Sequence, residues 1–170
     1  MNALSICLIC CAVTGLVFWF LLRALRSPSP VVELDPEWLA EFSVARYRPM
    51  LRLLSSEDFE FLKTQEGYDD SIGRRLRVER QRIFRGYLRN LIRDYHRLHL
   101  AARVAILFGE QEHSDLAARL LWHKIEFAFN LMRVEFRLAL YAVGIGTVDV
   151  RGLLGSVEAF KDQVLATSRV

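Results

Sequence analysis

His123, Glu126, Asn130, Arg133 and Arg137 follow one another at steps of three, four, three and four. That spacing stacks side chains along one face of an α-helix. Such a stripe could line a groove between helices, with Glu126 as a base or ligand and the two arginines as clamps for an anion. The same stripe is also what the solvent edge of a helix looks like when its other faces are covered, or what a satisfied buried network looks like. No second carboxylate is placed by spacing to meet Glu126, so one of these structural readings is preferred. The five residues are the best candidates for a small-ligand or catalytic groove, and that bundle-with-a-site reading is the alternative to the leading one below.

A metal is not expected. His96 and His99 lie three apart, and Glu110 precedes His113 by three. Carboxylate-bridged bundles need Glu-x-x-His on each of two helices and a Glu on each of two more. Only one such pair occurs, in an expected loop, and His96 and His99 are expected to point toward the polar arginine side of their helix. The chain has no His-Glu-x-x-His, nucleophile elbow or phosphate-binding loop, since Gly144-x-Gly146 lacks a preceding strand and a following lysine. No cofactor is expected, and the reading leans away from an enzyme.

Charge supplies the stronger hint. Residues 33–70 carry ten acidic and four basic side chains, net −6, whereas residues 71–108 carry ten arginines against Glu79 and Asp94, net +8. At 100° per residue, Arg75, Arg82, Arg85, Arg89, Arg93 and Arg97 gather on one face of a long helix. That face suits anionic lipid headgroups or an acidic protein partner, unless the acidic segment before it folds over it. Nucleic acid is disfavoured, because no reader motif accompanies the arginines.

The elements that must carry these residues are helical throughout. Asp35-Pro36-Glu37 reads as a helix start, with Trp38, Leu39 and Phe42 on its apolar side and Pro49 ending or kinking it. Ser55 with Asp58 resembles a capping box for a short helix closed by Gly67, burying Phe59 and Leu62. A long helix over about 70–108 places Ile83, Phe84, Tyr87, Leu88, Leu91, Tyr95, Leu98, Ala102, Ala105 and Ile106 on its apolar face, and Gly109 is its expected C-cap. After a short loop, Ser114 opens a second long helix to about Val143, and so short a connection predicts an antiparallel hairpin. This second helix is apolar around most of its circumference, which predicts a central position in a bundle. Gly144 and Gly146 break it. Asp149 then caps a last helix with Val150, Leu153, Leu154, Val157, Phe160 and Val164 at helical spacing.

Residues 4–22 contain no charged side chain. As a helix they would cover about 28 Å, close to the ~30 Å hydrocarbon core of a bilayer. The uncharged Met1-Asn2-Ala3 start and the absence of a small-x-small exit favour a retained anchor over a cleaved signal. Arg23 and Arg26 on the C-terminal side predict an N-terminus outside and the remainder in the cytoplasm. All three cysteines, Cys7, Cys10 and Cys11, fall in this stretch. Cys7, Cys11 and Gly15 form a ladder of small residues at i, i+4 and i+8, a face on which two such helices could self-associate.

The expectation is therefore an all-α chain: a transmembrane helix at 4–22, a Pro/Ser juxtamembrane linker at 23–34, and a bundle of four to five helices at 35–170 built on a long antiparallel hairpin. It is read as a single-pass protein of the inner or plasma membrane. Its expected role is a non-enzymatic interaction or assembly module that presents either the arginine stripe or the C-terminal apolar helix to a partner.

Overall fold

A computed structural model describes residues 36–55, 57–108, 114–142 and 146–167. The expected transmembrane helix, the linker, the Cys7/Cys11/Gly15 ladder and the Gly109 cap lie outside the described residues. Among the described residues every regular element is helical, and no helix is long and apolar enough to cross a membrane. The elements are α1 (Pro36–Glu41), a 3-10 turn (Val44–Tyr47), α2 (Met50–Leu53), α3 (Glu57–Lys63), α4 (Asp70–Phe108), α5 (Ser114–Ala142) and α6 (Arg151–Thr167).

The first expected helix is shorter than its pattern suggests. Ser43 is extended, at φ −130° and ψ 127°, and its Oγ accepts a hydrogen bond from the Ala45 N–H at 3.3 Å. That local bond offers the backbone an alternative to another helical turn. The chain therefore leaves α1 after Glu41, makes the 3-10 turn, and passes through Pro49 into α2. Phe42, Val44, Tyr47, Met50 and Leu54 are all buried along this path. The 3-10 turn packs on α6 and α2 packs on α4, so this irregular segment wraps the bundle.

In α3 the serine of the expected capping box acts without its acidic partner. Ser55 Oγ accepts from the Glu57 N–H at 3.3 Å, while Asp58 reaches away to Arg80 at 2.8 Å. Gly67 closes the turn at φ +83°, a backbone conformation that side chains with a Cβ rarely adopt. Phe59 is buried as expected, and Phe61 stands in solvent.

The antiparallel hairpin is present. Pairs across α4 and α5 run in opposite directions: His99 shares a groove with Lys124, Tyr95 stacks on Phe127, Leu88 shares a groove with Glu135, and the Arg77 guanidinium lies over Tyr141. α6 turns back along both. It sets Phe160 against Tyr95 and His123, and Gly152 against Asn130. Asp149 Oδ1 accepts the Arg151 N–H at 2.9 Å, the expected cap. Gly146, at φ +73°, makes the turn that separates α5 from α6.

The core is drawn from all three long helices. α4 contributes Phe84, Leu88, Leu91, Tyr95, Leu98 and Ala102; Val150 just before α6, and Leu153, Leu154, Val157, Phe160 and Val164 within it, complete the set. The apolar residues of α6 are thus interior and do not form a surface for a partner. Two expectations about packing need correction. Ile83 is exposed, because it sits at the edge of the α4 face where no neighbouring helix reaches it. α5 is not enclosed: Phe127, Leu131, Val134, Leu138 and Tyr141 are buried, whereas Leu121, Trp122, Ile125, Phe129 and Phe136 are exposed. Each long helix of this arrangement packs on the other two, which leaves one side of it facing outward.

Candidate functional site

The polar stripe of α5 does not converge. His123 Nδ1 lies 3.8 Å from Glu126 Oε2, and the His123 ring packs 5.3 Å, centroid to centroid, from Phe160. Asn130 turns toward Gly152 of α6, with its Oδ1 3.5 Å from where a Cβ on that glycine would stand. Glu126 and Arg133 are exposed. Arg137 lines a shallow groove of about 250 Å³ with Leu140, Gly146 and Thr147, some distance along the helix from Glu126. One end of the stripe therefore serves the α5–α6 seam and the other meets solvent.

His99 does not stand on the arginine face as expected, and His96 lies at the edge of that face toward α5. His99 is half-buried and approaches Tyr95 and Phe160, and His96 is half-buried beside Tyr95. Their position on α4 is on the flank facing α5, so the second long helix covers them. Burial, followed by the charges of Lys124, Arg103 and His96, pushes the His99 imidazole down to about 4. Burial and Lys124 lower His96 as well. Tyr95 is pushed up, by burial and by Glu126, and its hydroxyl and His99 Nε2 have no hydrogen-bond partner among the described residues. Neutral imidazoles beside a neutral phenol form a packed aromatic seam. Among the described residues no group of three or more His, Cys, Asp or Glu side chains is placed to hold a metal ion.

That seam makes the domain sensitive to acid. The folded His99 pKa lies below the ordinary value of 6.5, so the unfolded chain takes up the proton first. The stabilisation is complete above pH 6.5 and is lost as pH falls toward 4. The expected loss is about 1–2 kcal/mol once solvent screening of a half-buried ring is allowed for. Thermal melts between pH 7 and 4.5 should show a falling midpoint that flattens in His99→Leu. Parallel curves for the two proteins would refute this assignment.

The arginine face behaves differently from one end to the other. Arg75, Arg82, Arg85, Arg89 and Arg93 are exposed, and none forms an ion pair within 4 Å with a described carboxylate. Arg97 is half-buried, with its guanidinium 4.9 Å over the Trp38 ring of α1. Of the acidic segment, Asp58 is engaged elsewhere. Asp58 binds Arg80, whose guanidinium also lies 5.1 Å over Phe59, and Arg77 lies 5.5 Å over the same ring. Arg77 and Arg80 point to the flanks of α4 where α3 and α5 pack, whereas the five exposed arginines point outward.

Two features were not foreseen from the chain. One is a buried polar cluster: Tyr47 Oη donates to Asp94 Oδ2 at 2.5 Å and Arg46 Nη1 approaches the same oxygen at 3.4 Å. Asp94 is 7% exposed. Burial and the Asp94 carboxylate push the Tyr47 phenol well above its ordinary range. The other is a groove of about 460 Å³ where α4 meets Glu135 of α5, with Arg82, Arg85, Arg89 and the exposed Val78 along its rim and Leu88 and Ile92 beneath. Glu135 is the one acid in its lining; burial raises its pKa, and the Arg85 charge opposes that rise. Its arginines were legible in the sequence as part of the α4 face, whereas the approach of Glu135 from α5 was not.

Comparison with protein-family models, with curated proteins and with solved structures finds no match to this chain. The site must therefore be read from its own chemistry.

Proposed function

We propose that the chain is a single-pass membrane protein with its N-terminus outside and its helical domain in the cytoplasm, acting as a non-enzymatic interaction module. Its contact surface is the outward arginine face of α4, and its partner is anionic. The observation that carries this reading is the separation of roles among the arginines: Arg77, Arg80 and Arg97 are engaged with aromatic rings and Asp58, while Arg75, Arg82, Arg85, Arg89 and Arg93 remain exposed. Five like charges on one helix face repel one another, so an arrangement that leaves them open suits an external counter-charge better than internal packing does. The membrane part of the reading is supported by the uncharged run at 4–22 followed by Arg23 and Arg26.

The test uses the full chain with a C-terminal tag. The chain should stay in the membrane fraction after alkaline extraction, and the tag should be cleaved by protease only when the cytoplasmic side is opened. Changing all five exposed arginines to Gln should abolish recovery of the anionic partner, acidic protein or anionic lipid, with the solubilised chain while circular dichroism stays unchanged. Release into the alkaline supernatant, or undiminished recovery with the five-fold variant, would overturn the reading.

A further inference from the structure

At about 100° per residue, Leu121, Trp122, Ile125, Phe129 and Phe136 fall within a single sector of α5. All five are exposed, Trp122 at 67% and Phe136 at 65%. A contiguous aromatic surface of this kind is uncommon on a protein that meets only water, and it marks a place of contact.

The margins of that surface carry information about what meets it. On the side toward α4 lies the groove rimmed by Arg82, Arg85 and Arg89. Further along the same side, Leu121 shares a second groove, of about 320 Å³, with His99, Arg103 and Lys124. On the opposite margin stand the exposed Arg119 and Arg133. The acids among them are Glu135, half-buried near Arg85, and Glu126, next to His123. Among the α4 and α5 residues that border it, both margins thus carry more positive than negative charge.

We propose that the outward face of α5, together with the arginine-rimmed groove beside it, docks on an anionic bilayer surface. This deepens the function proposed above and rests on it. Trp122, Phe129 and Phe136 enter the boundary between headgroups and acyl chains, and the flanking arginines meet lipid phosphates. An apolar aromatic centre between basic margins is the chemistry of an interfacial helix. A second copy of the chain would also cover the aromatic residues. It would, however, bring a basic margin against a basic margin whichever way it turned, whereas anionic headgroups neutralise both sides.

The experiment uses the full chain carrying Trp19→Phe and Trp38→Phe, which leaves Trp122 as its sole tryptophan. It is reconstituted into phosphatidylcholine vesicles with and without phosphatidylglycerol, in which the acyl chains are brominated or plain. In anionic vesicles at low ionic strength, Trp122 emission should shift to shorter wavelength and brominated lipid should quench it about twofold, an effect that salt reverses. Phe129→Ser with Phe136→Ser should remove the quenching, and Arg85→Gln with Arg89→Gln should lower the docked fraction roughly tenfold. All four positions are exposed, so circular dichroism should be unchanged. Unquenched Trp122 in anionic vesicles at low salt overturns the proposal. So does a blue shift that brominated lipid leaves untouched while chemical cross-linking captures dimers, because a second copy then covers the face. Alkaline retention in the same vesicles reports the anchor independently: a retained chain with unquenched Trp122 refutes docking alone, and a released chain refutes the tether.

Discussion

Phe160→Ala is expected to lower the stability of the helical domain by about 3–5 kcal/mol, the range for truncating a fully buried aromatic ring. Phe160 is 1% exposed and its ring stands 5.4 Å from Tyr95, 6.1 Å from His99 and 5.3 Å from His123, centroid to centroid. It is therefore the place where all three long helices meet. The surrounding rings are stiff, and Tyr95 is itself stacked on Phe127 at 3.7 Å, so the cavity cannot readily collapse. A domain of this size has a total stability of about 5–15 kcal/mol, and the loss should appear as a fall in melting temperature of about 10–20 °C. Phe160→Leu, which retains most of the volume, should cost clearly less. An alanine variant within about 1 kcal/mol of the parent in urea denaturation would show that α6 is not seated in the core as described.

Asp94→Ala should cost about 2–4 kcal/mol, although the residue is charged and replaced by a good helix former. Helix propensity alone predicts a small gain at this position. The structure reverses the sign, because the carboxylate accepts from the buried Tyr47 hydroxyl and neighbours Arg46, and alanine leaves that hydroxyl inside without a partner. Tyr47→Phe removes the hydroxyl together with its need and should cost only about 1 kcal/mol. In the Tyr47→Phe background the Asp94→Ala penalty should therefore shrink, and a double-mutant cycle read by urea denaturation measures the difference. Equal penalties in both backgrounds would remove the coupling on which this account depends.

These two residues show where reading the chain succeeds and where it stops. Phe160 was legible. Its spacing with Val150, Leu153, Leu154, Val157 and Val164 predicts one buried stripe, and all six are buried. Asp94 was not legible, because its partners Tyr47 and Arg46 lie 47 and 48 residues earlier in the chain. Nothing in the local pattern says that the chain after α1 returns to that point on α4. The same reason separates Arg97 from the rest of its stripe: Trp38, which lies under it, belongs to a distant segment.

The candidate sites divide in the same way. The arginine face of α4 follows from composition and a 100° turn per residue, and five of its six members are exposed. His99 was placed on the wrong side because it lies near the boundary of that face, where a few tens of degrees and the presence of α5 decide between water and protein. The polar stripe of α5 was correctly placed on one face. Whether it lines a groove depended on how close α6 comes, and α6 takes up only Asn130 and His123.

The sequence by itself determined the helical character, the main helix boundaries, the capping by Asp149 and the apolar stripes of α4 and α6. Each of these depends on residues within a turn or two of one another, and local backbone bonding with helical periodicity is enough to specify them. Only the tertiary structure decided which apolar residues are core and which are surface. α5 is apolar around most of its circumference, and its sequence cannot distinguish Leu131 and Leu138, which are buried, from Phe129 and Phe136, which are not. A helix with two neighbours has an outer face whatever its sequence says. That geometry turns what reads as excess core into an aromatic surface flanked by arginines.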